Sequence, residues 1–195
     1  MPSIMIHEEV AYYLSSRINI NSYNYYLGVL TPDSVNIDGF GSKIDRWTAH
    51  LRSNNYSEWR LNIKDFYDSN KDKYDKDFLL GYYVHVLTDI IYDDYIYLDV
   101  RDKIIEDGVS EDDAHKAMRY DMDKYYFDGI NKVIEILNSS DDTFDINNIS
   151  SDLLYRWKNK CINTFNNRND SIYITDEVIN NLNEMVYREV LMILN

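Results

Sequence analysis

Apolar and polar side chains alternate along this chain with the spacing of helices rather than strands. Residues 4–18 carry an apolar stripe with His7 inside it, and a second, short helix is predicted over 22–30. That helix should end near Pro32, because the residue before a proline is driven out of the helical conformation. Turn-forming residues then predict a loop over 31–46.

A long segment without proline dominates the middle of the chain. Its first half, within 75–108, is apolar on every helical face, which is typical of a central, buried helix. Gly108 is a natural C-terminal cap for it. A preceding helix is predicted from Ser57, read as an N-cap, to about residue 70.

The remaining sequence continues the same pattern. Ser110, followed by three acidic residues, marks a helix start, and Thr175 marks another. Three further helices are predicted, at 110–137, 148–166 and 176–194. The pattern predicts an all-α fold: one compact domain over 1–195, with six or seven helices around a buried central helix.

The net charge of the chain limits which kinds of molecule it is expected to bind. The 195 residues include 34 Asp and Glu against 20 Lys and Arg, a net charge of −14. This charge disfavours binding to a nucleic acid duplex and stable association with an anionic membrane. The lone Cys161 cannot form an internal disulfide, and neither a signal peptide nor a membrane-spanning run is recognisable. A cytoplasmic location is therefore predicted.

The central helix carries the most informative pair of polar residues. His85 and Asp89 are four residues apart and project from one face. A carboxylate in so apolar a helix costs several kcal/mol unless a positive charge compensates it. No Lys or Arg lies between Lys76 and Arg101, so a divalent metal is one solution. The alternative is a His–Asp hydrogen bond that joins two helices.

The other three histidines are individually ambiguous. His7 could be a ligand or a satisfied core residue. His50 stands between two arginines, at Arg46 and Arg52, and could neighbour a phosphate or lie on the surface. His115 begins an acidic helix and could simply be solvated. Only the joint arrangement of these residues argues for a metal site.

That arrangement resembles a known family. His7 in the first helix, then YLGVLTPDS, AHLRS and FLLGYYVHVLTD, over residues 1–100, resembles the zinc-dependent phospholipase C family, which shares its helical fold with zinc-dependent single-strand nucleases. The resemblance extends loosely to about residue 130. It implies a set of metal ligands at His7, Asp33, His50, His85 and Asp89. It also implies that Asp33 acts catalytically, as a ligand or general base beside the attacking water, and that Asp89 bridges two metals.

The chain departs from the family pattern after Asp89. Two later family histidines and a glutamate are expected, but the first position falls in IIYDDYIY. Asp93 is the preferred substitute, and Glu111, Asp112 and Asp123 are the alternatives. His115 could begin the second motif, yet the residue four positions on is Arg119. Arg119 could clamp a phosphate in place of a lost metal, or form a salt bridge with an acid of its own helix: Glu111, Asp112 or Asp123.

These residues predict a phosphoric-ester hydrolase. The expected cofactor is zinc or another divalent metal, with two ions and a range of one to three, and the expected nucleophile is water. The expected substrate is a small soluble phosphate ester, either a diester or a monoester. The alternative is a catalytically degenerate helical binding module that keeps the fold and at most one structural metal. A His-Asp phosphohydrolase is discounted, because the chain has no adjacent His-Asp dipeptide.

Overall fold

The computed structural model describes residues 2–165 and 171–194, and over these ranges the chain is all-α. The described residues contain no β-strand, only an isolated antiparallel bridge between Ile146 and Ile149. A 3₁₀ helix spans Thr31–Asn36 and a π-helix spans Tyr92–Ile96. The α-helices are α1 (Ile4–Ile18), α2 (Tyr23–Leu30), α3 (Lys43–Ala49), α4 (Tyr56–Asn70), α5 (Lys76–Ile91), α6 (Tyr97–Glu106), α7 (Glu111–Met122), α8 (Ile130–Leu137), α9 (Ser151–Thr164) and α10 (Asp176–Leu194).

The chain is divided into more helices than the sequence pattern predicted. The expected loop over 31–46 is instead largely helical, since it contains the 3₁₀ helix and the start of α3. The expected helix over 110–137 is interrupted between α7 and α8, where Tyr125 and Phe127 are buried. Burying these two rings against the core needs a change of chain direction that a continuous helix does not provide.

Several helix ends follow the local chemistry of the sequence. The Ser110 hydroxyl caps α7 by accepting from the Asp113 amide, and Gly108, with a φ of 97°, follows α6 as predicted. Ser57 is not the N-cap of α4. Asn55 has that position, because its side-chain oxygen accepts from the amide of Glu58, three residues later.

Helix α5 is the buried centre of the molecule, as its apolar sequence predicted. All side chains from Phe78 to Ile91 are buried, and the helix packs against α1, α2, α4 and α10. Among the described helices, none combines the length and apolarity needed to cross a bilayer.

Helices α2 and α5 approach each other through two glycines. A Cβ at Gly28 would overlap the carbonyl of Phe78, and a Cβ at Gly81 would overlap the carbonyl of Tyr25. Only glycine permits this separation of the two backbones. The close packing brings the carbonyl end of α2 beside the His85 ring.

Candidate metal centre

Five predicted ligands from separate parts of the chain meet beside α5. His7 lies on α1, Asp33 in the 3₁₀ helix that follows α2, and His50 at the C-terminal cap of α3. His85 and Asp89 lie one turn apart on α5 itself. All but Asp33 are almost completely buried, and the Asp33 side chain is 13% exposed.

Asp89 lies at the centre of the group. Its Oδ1 is 3.4 Å from Nε2 of His7, and its Oδ2 is 3.5 Å from Nε2 of His50 and 3.8 Å from Nε2 of His85. Neither carboxylate oxygen makes a hydrogen bond among the described residues. A buried carboxylate without hydrogen bonds costs several kcal/mol, so it calls for a cation within ligand distance.

Backbone carbonyls fix the orientation of two of the imidazole rings. His85 Nδ1 is 2.7 Å from the carbonyl oxygen of Val29, and His50 Nδ1 is 2.8 Å from that of Arg46. A carbonyl can only accept, so Nδ1 is the protonated nitrogen in both rings. Metal-binding histidines are commonly held in this way, with the other nitrogen free to ligate.

The free nitrogens of these two rings face each other. His85 Nε2 lies 3.3 Å from His50 Nε2. In the neutral tautomers both atoms carry lone pairs, which repel at this separation unless a proton or a metal ion lies between or beside them. A proton on His50 is the alternative to a metal here, because its Nε2 is also 3.4 Å from Asp33.

The charge states favour a cation. Burial lowers the pKa of His85, to about 3, so this ring is neutral near pH 7. Burial raises the pKa of Asp33, but the hydrogen bond with His50 and the nearby imidazoles outweigh it and bring the pKa to about 2. Burial also raises the pKa of Asp89, but the surrounding histidines outweigh this effect and hold that pKa below its usual range. Burial lowers the pKa of His50, but its acidic neighbours outweigh burial, so this pKa is raised overall. Two anionic carboxylates therefore share the group with a neutral His85 and with His50, whose pKa is raised.

His7 completes the group by stacking rather than by hydrogen bonding. Its ring lies parallel to that of His85, with centroids 3.7 Å apart and an interplanar angle of 8°. Neither of its nitrogens has a hydrogen-bond partner among the described residues. A core histidine with a purely structural role would have a hydrogen-bond partner, so the described residues do not support that alternative for His7.

The ligand atoms are close enough to share metal ions. Atoms of His7, Asp33 and His85 lie within 4.8 Å of one another, and so do atoms of His50, His85 and Asp89. Imidazole nitrogens and carboxylate oxygens are common ligands of Zn²⁺ and of similar divalent ions. The unpaired atoms, the fixed tautomers and the two carboxylates with lowered pKa values all fit such an ion.

Two predicted ligands lie outside both groups. Asp93 falls in the π-helix and pairs with Arg52, at 2.8 Å. Eight residues of an α-helix advance about 80° beyond two full turns, so Asp93 does not share the face of His85. His115 is exposed on α7, with its ring centroid 6.1 Å from that of Tyr97. The structure therefore places neither with the five clustered side chains.

Asp33 connects the buried group to an open cavity of about 340 Å³. Arg46 and Arg119 also line this cavity. The guanidinium carbon of Arg119 lies 4.8 Å from the centroid of Phe40. Within residues 2–165 and 171–194, Arg119 makes none of the ion pairs considered from the sequence, with Glu111, Asp112 or Asp123.

The sequence pattern did not single out Glu8, the residue next to His7. Its side chain is fully buried, and neither carboxylate oxygen has a hydrogen-bond partner among the described residues. Burial raises its pKa well above the usual value. Glu8 lies near Tyr25, Tyr26 and Cys161, and a charge on it would raise the pKa of each of these groups. The only sequence signal was an acid inside an apolar stripe.

Comparison of the chain with known protein families, with curated proteins and with solved structures finds no match. The resemblance to the zinc-dependent phospholipase C family therefore stays a prediction. What the structure adds is the grouping of three histidines and two aspartates, drawn from across the first half of the chain.

Proposed function

We propose that this protein is a metal-dependent phosphoric-ester hydrolase, acting on a phosphodiester or phosphomonoester that is small and soluble. One observation carries the proposal. Among the described residues, the fully buried Asp89 has no hydrogen-bond partner, and it lies beside two imidazole rings that backbone carbonyls orient and whose Nε2 atoms are 3.3 Å apart. One or two divalent ions, zinc or a similar metal, would satisfy these atoms together.

The proposed residues have distinct tasks. His7, His50, His85 and Asp89 would hold the metal, with Asp89 positioned to use both of its oxygens. Bound divalent ions lower the pKa of a coordinated water and neutralise charge that develops on phosphate oxygens. Asp33 lies where the group meets the cavity, so its carboxylate can accept a proton from an attacking water or orient it.

The experiment measures hydrolysis of p-nitrophenyl phosphate and bis(p-nitrophenyl) phosphate before and after chelation, and after zinc is returned. We expect activity to disappear with chelator and to recover with zinc. Asp33→Asn should lower kcat about 100-fold or more, because a general base contributes about that much. His115→Ala is the matched control and should keep wild-type activity. Hydrolysis that survives complete metal removal would overturn the proposal.

A second function is supported by the burial of the group. Four of the five side chains are almost completely shielded from solvent, which is also typical of a structural metal. On this hypothesis the protein is a helical binding module that keeps one metal and does not turn over phosphate esters. This second hypothesis is supported if chelation lowers the Tm while the metal-loaded protein hydrolyses neither substrate.

A further inference from the structure

The cavity beside Asp33 contains cationic and aromatic side chains to which the proposed chemistry gives no task. Arg46, Arg119, Phe40 and Trp157 line it together with Asp33. Its volume of about 340 Å³ is within the range of small-molecule sites. Because Asp33 is the one partly exposed member of the buried group, a substrate that reaches this group by way of Asp33 would lie among these side chains.

Both guanidinium groups lie over one aromatic ring. The Arg119 and Arg46 guanidinium carbons are 4.8 and 5.5 Å from the centroid of Phe40, which is 70% exposed. Arg46 is further oriented by a 3.1 Å hydrogen bond from its Nε to the Gly41 carbonyl. Stacking on a ring holds a guanidinium in place while its N–H donors in the plane stay available.

Among the described residues, neither arginine of the cavity has a carboxylate partner; Arg17 and Arg188 form no ion pair there either, but they do not line the cavity. Arg52, Arg60 and Arg156 each form an ion pair at 3.2 Å or less. Across the part of the chain that the structure describes, no carboxylate oxygen lies within 4.0 Å of Arg46 or Arg119. In a protein with 34 acidic residues, two unpaired guanidiniums in one cavity point to an anionic ligand.

Trp157 supplies an independent indication. Its indole nitrogen is buried, yet it has no hydrogen-bond partner among the described residues. A buried donor without a partner is unfavourable, and an acceptor oxygen on a ligand would satisfy it. Asp123 is the second carboxylate of the cavity, and burial raises its pKa although Arg119 acts to lower it.

We infer that Arg46 and Arg119 bind the phosphate group of the substrate and select a phosphomonoester over a phosphodiester. This inference rests on the proposed function for the identity of the reaction. At neutral pH a monoester carries close to two negative charges and three non-bridging oxygens, whereas a diester carries one charge and two such oxygens. Two guanidiniums beside Asp33 therefore have an additional charge and an additional acceptor to bind only in the monoester.

The test uses isothermal titration calorimetry with two probes, inorganic phosphate and the monoanionic diester dimethyl phosphate. The proteins are wild type, Arg46→Gln, Arg119→Gln and the control Arg101→Gln, whose guanidinium pairs with Asp102 on α6. We expect wild type to bind phosphate at least about tenfold more tightly than dimethyl phosphate, since a charged hydrogen bond contributes about 1.5–3 kcal/mol. Each cavity variant should lose about tenfold in phosphate affinity, and the control should not change.

Repeating the titrations after chelation separates this inference from the proposed function. The loss of affinity in Arg46→Gln and Arg119→Gln should persist without metal, because the arginines act on the anion directly. The inference is overturned if the two variants bind phosphate as wild type does, or if wild type binds both probes equally or neither. Failure of hydrolysis with metal present would instead count against the proposed function alone.

Discussion

Asp89 shows how much a single charged side chain on an apolar helix indicates about its surroundings. A carboxylate at this position, with no Lys or Arg from residue 77 to 100, predicted a cationic partner from elsewhere in the chain or from a metal. The structure supplies three histidines around it, and the pKa of His50 is raised by its acidic neighbours despite its burial. The residue-level argument therefore identified the centre of the group correctly, while its metal stays a prediction.

Glu8 gives a prediction about pH. Burial raises its pKa, so the folded protein favours the neutral carboxyl group. The neutral Glu8 side chain contributes its full share of stability below pH 4.3, about the pKa of glutamate in the unfolded chain. As the pH rises from there to the pKa of Glu8 in the folded protein, this contribution declines by about 1.4 kcal/mol per pH unit. Glu8→Gln cannot ionise, so its free energy of unfolding should fall less than that of wild type between pH 5 and pH 8. Urea denaturation at these pH values measures the difference.

The matched control is Glu135→Gln, at a side chain that is 76% exposed. It should follow the pH dependence of wild type. If Glu8→Gln loses as much stability as wild type over this range, Glu8 is ionised in the folded protein and its assignment as a neutral buried acid is wrong.

At the scale of elements, the packing of α2 on α5 positions the group. Gly81 lies one turn before His85, and its lack of a side chain allows the Val29 carbonyl to reach the imidazole. Gly81→Ala should destabilise the fold by about 1–3 kcal/mol or more, because the new methyl group overlaps the backbone of α2. It should also reduce the metal bound per chain. Urea denaturation and metal analysis of the folded fraction measure the two effects.

Gly108→Ala is the control for this prediction. Its φ of 97° also disfavours alanine, but no atom lies within 4 Å of the added Cβ. It should cost about 1 kcal/mol through backbone strain and leave the metal content unchanged. Wild-type stability in Gly81→Ala would contradict the close packing of the two helices.

Most element boundaries that local chemistry decides were predictable, although the cap of α4 is Asn55 and not the predicted Ser57. Ser110, Gly108 and Thr175 all mark helix ends as expected, because capping depends on neighbouring residues. The break between α7 and α8 and the π-helix at Tyr92–Ile96 were not predicted. Both depend on how distant elements pack, and periodicity within one segment does not contain that information. Asp93 lies outside the five clustered side chains for a simpler reason, since eight residues do not return an α-helix to the same face.

At the scale of the whole molecule, the group joins α1, the 3₁₀ helix, α3 and α5. A ligand that binds only the folded chain therefore stabilises all of these contacts together. Chelation should lower the Tm of wild type. The free energy of unfolding should fall by about 4 kcal/mol if, before chelation, the free metal concentration exceeds its Kd about 1,000-fold. Asp89→Asn should show no further fall on chelation. An unchanged wild-type Tm, with metal shown to be removed, would contradict this coupling.

The all-α fold and the His85–Asp89 pair were predicted from local signals, namely helical periodicity and the His-x3-Asp spacing on α5. The grouping of His7, Asp33 and His50 with this pair was expected only from the resemblance to the zinc-dependent phospholipase C family. Arg46 as a cavity residue was not predicted, because its position depends on Phe40 and Asp33 meeting across a turn.

Metal stoichiometry tests the central claim most directly. Plasma mass spectrometry of untagged protein should find one to two equivalents of zinc or a similar divalent ion in wild type. Asp89→Asn keeps the size of the side chain but loses its charge, and it should retain less than about a tenth of that metal, given the cost of removing a first ligand. Asp93→Asn and His115→Ala should retain it in full. No metal in wild type after reconstitution, or full occupancy in Asp89→Asn, would contradict the account.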